Sequence, residues 1–287
     1  MLVEPAPAKV NLTLAVLGRR RDGYHRLESL VAFARQGDRL TLVPGGELRL
    51  TMRGPTARAA GPATGNLVLK AARALAQEVR GLKVGRFTLT KRLPVAAGLG
   101  GGSADAAAAL RLLARANGLA SDDPRLFKAA RKVGADVPVC LDPRPRLMRG
   151  IGEVLSEPVK VPRLWAVLVN PGKALATKDV FAALRSPPNG KQRRGRGASD
   201  IPGGREAFFA FLESRPNDLE PAATALVPAI GKALSALRGT PGCRLARMSG
   251  SGATCFGLYG SSRAATRAAH GLTASYPRWW VRATILG

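Results

Sequence analysis

At 287 residues, 46% of them hydrophobic, the chain has the length of about two ordinary domains and enough apolar content to build cores, which excludes general disorder. Its longest apolar stretches, such as 164–169, fall far short of the roughly 20 residues that span a bilayer, so no transmembrane helix and no membrane partner is expected. The formal charge of +26 raises nucleic acid as a partner, yet aromatic residues are only 5% and the basic clusters, 19–21 and 193–196, are short; no nucleic acid is expected, and the charge reads as an arginine bias or as attraction of an anionic substrate.

In chain order, residues 1–9 hold one acidic residue, two prolines and no apolar h-region, unlike a secretory signal, so a cytoplasmic protein is expected. Val10, Leu12, Leu14 and Val16 alternate with the period of a half-buried strand, which places Lys9 at the strand's mouth. Asp22-Gly23 marks a turn within 18–23, followed by a strand over 27–33. A hairpin is expected from 39–43 and 47–52 around Pro44-Gly45-Gly46. Asn66 reads as the N-cap of a helix reaching Val79, with Val68, Ala71, Leu75 and Val79 on one stripe. A strand over 86–90 then leads through the loop 91–102 into a helix over 103–116, and Gly134 stops another over 124–133.

The second half opens on an apolar strand over 164–170 and closes on strands over 244–249, 253–259 and 279–285, with helices between them. Segment 186–204 is dominated by Pro, Gly, Arg, Lys, Ser and Gln and reads as a loop or disordered insertion. Irregular mixing of strands and helices favours α+β over a doubly wound sheet. Two domains are expected, 1–155 and 156–287. Cys140, Cys243 and Cys255 lack C-x-x-C spacing, and His25 and His270 are scattered, so neither a disulfide nor a zinc site is expected.

Four segments carry polar or glycine-rich patterns. In Pro94-Val95-Ala96-Ala97-Gly98-Leu99-Gly100-Gly101-Gly102-Ser103-Ala104, four glycines in five positions lead from a strand to a helix, so backbone N–H groups and the helix N-terminus can face phosphate. The Walker lysine is absent, and Ser103 breaks the dinucleotide fingerprint. Ser103 can cap the helix or touch a phosphate or Mg²⁺. Asp136, in Gly134-Ala135-Asp136-Val137-Pro138, is either a turn residue or a proton acceptor for a substrate hydroxyl. Lys9 and Asn11 share one strand face, and 248–254 reads most simply as a hairpin turn.

Together, Pro7-Ala8-Lys9-Val10-Asn11-Leu12, the loop 94–107, the block 134–140 and Met248-Ser249-Gly250-Ser251-Gly252 resemble the GHMP kinase superfamily. Asp22-Gly23-Tyr24-His25, Gly150-Ile151-Gly152-Glu153 and Asn217-Asp218-Leu219-Glu220 resemble the branch whose acceptor is a cytidylyl-linked sugar-alcohol phosphate. The resemblance covers nearly the whole chain. It implies a ribosomal-protein S5-like N-terminal domain, a ferredoxin-like C-terminal one, and phosphoryl transfer from ATP with Mg²⁺. It also implies Lys9 and Asp136 as the catalytic pair, 94–104 as the ATP-phosphate loop, and Asn11, Tyr24, His25, Thr177 and Phe181 around the acceptor. Ala104 stands where many members carry a second serine, and 186–204 has no counterpart in the core pattern. The alternatives are another superfamily kinase, such as homoserine kinase, or a nucleic-acid-binding S5-like protein.

Overall fold

The computed structural model describes residues 1–184 and 200–287, so most of the insertion expected at 186–204 lies outside the described residues. The chain forms two compact units: Met1–Lys9, Gln36–Val95 and Gly100–Pro143 make the first, and Val10–Arg35, Ala96–Leu99 and Arg144–Gly287 the second. Both mix helices with sheet, as an α+β fold requires.

Unit 1 takes most of β1 (Leu2–Asn11), the second half of β3 (His25–Pro44), β4 (Arg49–Arg53) and β5 (Gly85–Thr90). β2 (Ala15–Arg19) belongs to unit 2. Leu40 and Leu42 of β3 and Phe87 and Leu89 of β5 are buried on alternate positions, the period of a strand with one face in the core. α1 (Leu67–Glu78) and α2 (Gly101–Ala116) pack on each other, α1 also against α3 (Pro124–Val133) and α2 against α4 (Val137–Leu141). The run of alanines at 106–109 is fully buried, so α2 presents a slim face.

Asn66 caps α1 as its spacing predicts, its side-chain oxygen accepting from Val68 N–H at 2.9 Å. Asn66→Ala is expected to lower the unfolding free energy by about 1 kcal/mol in a urea titration; an unchanged midpoint would mean that water serves that N–H equally well.

Two local expectations are corrected. The hairpin of 39–43 with 47–52 does not form: β5 pairs antiparallel with β3 from Arg39↔Thr90 to Pro44↔Gly85, and β4 runs parallel on the outer side of β5. Turn residues mark where a chain reverses but not which strand it joins, and β4 buries no residue fully, as suits an edge. The strand expected over 10–16 is likewise interrupted, with β1 ending at Asn11 and β2 starting at Ala15. Leu12 and Thr13 both donate to the Leu30 carbonyl, which breaks the ladder, although Val10, Leu12, Leu14 and Val16 are all buried.

Unit 2 is built on β8 (Leu164–Asn170), flanked antiparallel by β10 (Cys255–Tyr259) and β11 (Trp280–Leu286), with β9 (Cys243–Met248) outside β10. Between β8 and β9 run α5 (Thr177–Ala183), α6 (Arg205–Glu213), α7 (Glu220–Leu226) and α8 (Ala229–Arg238); α9 (Ser262–Ser275) joins β10 to β11. The sheet order β11-β8-β10-β9 is the split βαβ arrangement of a ferredoxin-like unit. Its core joins Val167, Val169, Ile230, Leu234, Leu237 and Leu272. β6 (Arg146–Gly150), paired with β7 (Val154–Leu155), lines up against Leu27–Val31 of β3, and Leu286 meets Ala34.

Candidate active site

In unit 1, β1 ends its share of the chain on Lys9, whose side chain is only 4% exposed. Its stem lies along Gly100, where an added Cβ would come within 3.3 Å of Lys9 carbons, and its ammonium reaches Asp136 Oδ2 at 3.1 Å. Asp136 occupies the N-cap position of α4 but makes no side-chain cap hydrogen bond, and Pro138 within the first turn removes one donor it would otherwise serve. The carboxylate, 39% exposed, is therefore not the helix's turn residue, and faces Lys9 instead.

Gly100 takes a left-handed φ of 61° as the N-cap of α2, and the helix starts at Gly101. Ser103 thus lies within the first turn and does not cap, contrary to one sequence expectation. Among the described residues its hydroxyl has no hydrogen-bond partner. Of the four glycines only Gly98 (φ 73°) and Gly100 need positive φ; Gly101 and Gly102 are ordinary helical positions.

The middle of the glycine loop, Ala96–Leu99, belongs to unit 2, where the segment read as a plain hairpin turn grips it. Ser249 Oγ donates to the Gly98 carbonyl at 2.9 Å, and Thr254 N–H donates to the Ala97 carbonyl at 3.1 Å. Ala96 is the one non-glycine residue at positive φ among the described residues, Ala97 and Leu99 are buried, and Pro94 and Val95 complete the approach from unit 1. Asn11 N–H donates to Ser249 Oγ, and the Asn11 amide donates to Ser29 Oγ at 2.7 Å, so this buried residue braces the turn. Asn217 donates to the Met248 and Gly250 carbonyls at 2.9 and 2.8 Å, and Glu220 accepts from Met248 N–H. Sequence reasoning assigned no role to Ser249, Asn217 or Glu220.

Unit 2 also carries Tyr24, His25 and Phe181. The turn between β2 and β3 leaves Tyr24 61% exposed, which removes it from any core. His25 stacks on Phe181 of α5 with ring centroids 5.0 Å apart and planes at 18°. Burial first, and then the Arg19 guanidinium, hold the His25 imidazole below its usual pKa, which favours the neutral ring. Glu153 caps its own turn through Ile151 N–H at 2.6 Å and lies 3.9 Å from Arg20, beside Tyr24 in the hairpin. Thr177 is exposed and its hydroxyl pairs with Ser251 Oγ at 2.8 Å. Burial pushes the Cys140 thiol up to about 12 and raises Cys255 as well, in keeping with inert core thiols. A shallow groove along α3, lined by Phe127, Lys128 and Arg131, holds none of these residues.

A glycine loop without a Walker lysine, opening an alanine-rich helix beside a Lys–Asp pair in an α+β unit, and a ferredoxin-like partner unit, together define a GHMP kinase. The model of the GHMP kinases N terminal domain matches residues 66–142, and that of the GHMP kinases C terminal region matches 198–278. The chain is 58% identical over 285 residues to a 4-diphosphocytidyl-2-C-methyl-D-erythritol kinase of Xanthobacter autotrophicus, covering 98% of this chain and 97% of the relative. It is 57% identical to one of Rhodopseudomonas palustris, over 98% and 96% of the two chains. The chain belongs to the 4-diphosphocytidyl-2-C-methyl-D-erythritol kinase family. A crystal structure of 4-(cytidine 5'-diphospho)-2C-methyl-D-erythritol kinase superposes with a TM-score of 0.79 at 34% identity, covering 100% of this chain and 99% of that one. A homoserine kinase from Cytophaga hutchinsonii, at 20% identity and a TM-score of 0.68 over 98% and 93%, shares the fold. No helix among the described residues is long and apolar enough to cross a membrane.

Proposed function

We propose that the chain moves the γ-phosphoryl of ATP to the 2-hydroxyl of 4-diphosphocytidyl-2-C-methyl-D-erythritol, a cytoplasmic step of non-mevalonate isoprenoid precursor synthesis. The observation that carries this reading is the pairing of Lys9 Nζ with Asp136 Oδ2 at 3.1 Å, with the lysine stem under Gly100 of the phosphate loop. Phosphoryl transfer asks chiefly for positioning and for charge where charge develops. Residues 94–104 hold the ATP phosphates through backbone N–H groups and the N-terminus of α2. Asp136 orients the acceptor hydroxyl and takes its proton, while Lys9 steadies negative charge on the transferring group. Mg²⁺ would accompany ATP: the Ser103 hydroxyl in the first turn of α2, without a hydrogen-bond partner among the described residues, would help hold it, and the ion would supply positive charge to the phosphates.

On the acceptor side, the exposed Tyr24 and the His25–Phe181 stack suit the flat cytosine ring, and Thr177 and Asn11 belong to the same unit. Base stacking is worth about 1–3 kcal/mol by alanine substitution, so Tyr24→Ala is expected to raise KM for the cytidylyl acceptor about tenfold. KM for ATP should hardly move. Equal shifts for both substrates would reject Tyr24 as a base platform. The reaction itself is tested by ADP release with 4-diphosphocytidyl-2-C-methyl-D-erythritol beside homoserine, mevalonate and galactose. Turnover on the first alone is expected; turnover on homoserine instead would make the chain another kinase of the same fold.

A further inference from the structure

A second charged cluster lies in unit 1 and takes no part in the chemistry above. Lys91 follows β5 and donates to Asp38 of β3 and, at 2.8 Å, to Asp105 Oδ2 of α2; all three side chains are buried. Burying two carboxylates and an ammonium is costly, and apolar residues would fill the space with no such penalty. The arrangement therefore calls for a role beyond filling. Asp38 supplies part of one: its Oδ1 accepts from Arg92 N–H at 2.5 Å and Leu93 N–H at 2.9 Å, the two residues that lead into the glycine loop. Asp105 lies one turn into the helix which that loop opens, and its other oxygen, Oδ1, is buried without a partner. The Leu93 side chain and Asp38 Oδ2 both lie in contact range of Gly101, at 3.5 and 3.7 Å from where a Cβ would stand.

We propose that Lys91, Asp38 and Asp105 are positioning residues for the ATP-phosphate loop. One ammonium ties the strand before the loop to the helix after it, and so sets the spacing of Leu93 from the N-terminal N–H groups of α2. Their side chains are buried, so they act on the loop through its backbone and its helix rather than through exposed charge. Lys91 Nζ is enclosed between its two carboxylates, so it is no substitute for a Walker lysine. The proposal rests on the phosphoryl-transfer reading given above.

The test is the double variant Lys91→Met/Asp105→Asn, which removes one positive and one negative charge together and leaves Asp38 holding Arg92 and Leu93. Losing a buried charge-assisted tie should raise KM for MgATP about tenfold, while KM for the cytidylyl acceptor stays within about twofold. A purely structural cluster would lower the melting temperature and leave both constants at wild-type values well below the melt, and that result overturns the proposal. Should the double variant not fold, Asp38→Asn keeps the Oδ1 acceptor and drops the charge facing Lys91. It is expected to raise KM for MgATP at least about threefold, again without the acceptor. An unmoved KM for MgATP, or parallel rises for both substrates, would overturn the proposal. Wild-type enzyme run alongside separates the two readings: no acceptor-dependent ADP release would sink the assigned reaction, whereas normal wild-type turnover with unshifted variants would sink only the positioning role.

Discussion

Asp136→Asn is expected to turn over about 10² to 10⁴ times more slowly than the wild type, the usual yield of a positioned proton acceptor. The substitution preserves shape and removes only charge and basicity. Because Asp136 makes no cap hydrogen bond to α4, that helix should keep its start, with Pro138 still fixing the first turn. The pair with Lys9 is open to water at the carboxylate end and buried at the lysine end, and the Asn amide oxygen can still accept from Lys9, so the protein should stay folded with a lowered melting temperature. KM for ATP should stay near wild type, since the glycine loop proposed to hold the phosphates is untouched. A folded Asp136→Asn enzyme with unchanged kcat would remove this residue from the mechanism. A collapse in melting temperature would instead make it a structural partner of Lys9.

Gly98→Ala should lower kcat/KM for ATP by about 10²-fold, the scale of a 1 Å misplacement in a catalytic constellation. A Cβ at Gly98 would stand 2.9 Å from the Gly252 carbonyl oxygen and 3.0 Å from Gly252 N, and closer still to the Ser249 carbonyl. All three are backbone atoms in a turn fixed by Asn217 and Asn11, so the loop has to move. The left-handed φ of 73° adds about 1–2 kcal/mol of strain for any residue with a Cβ. Gly118→Ala separates the two effects, because Gly118 also has positive φ (65°) but nothing within 4 Å of its Cβ position. It should lose a little stability and no activity. Wild-type kcat/KM in Gly98→Ala would show that the loop tolerates displacement and that its grip by 249–254 is incidental.

The parts of the site that could be read from the residues were those written in local chemistry. The strand, glycine loop and helix around 86–116 follow from alternation, glycine density and an alanine run, and Asn66 and Pro124 mark helix starts by their own hydrogen-bonding limits. Lys9 and Asp136 came as a pair only through the resemblance, since nothing local ties residues 127 positions apart. What stayed hidden depends on distant partners. The antiparallel match of β3 with β5 is decided by the whole sheet, not by the Pro44-Gly45-Gly46 turn between β3 and β4. The grip of Ser249 on Gly98 spans 151 positions. Asp105 did offer a clue: a carboxylate set within a run of alanines on a helix needs a buried partner, and Lys91 lies 14 positions before it.

Neither unit is a continuous stretch of chain, and this governs the order in which a growing polypeptide can fold. Leu30, Val31, Ala32 and Phe33 of β3 are buried, but their stretch belongs with the unit completed by residues 144–287, and on the edge that β11 covers Ala34 pairs with Leu286. At ordinary synthesis speeds of about 5–20 residues per second, that apolar strand must wait on the order of ten seconds or more for its cover. During that interval it is an open strand edge able to pair with a second nascent chain. A stop at Pro143 would freeze the molecule in that state, so the first half released alone should self-associate rather than persist as a small independent domain.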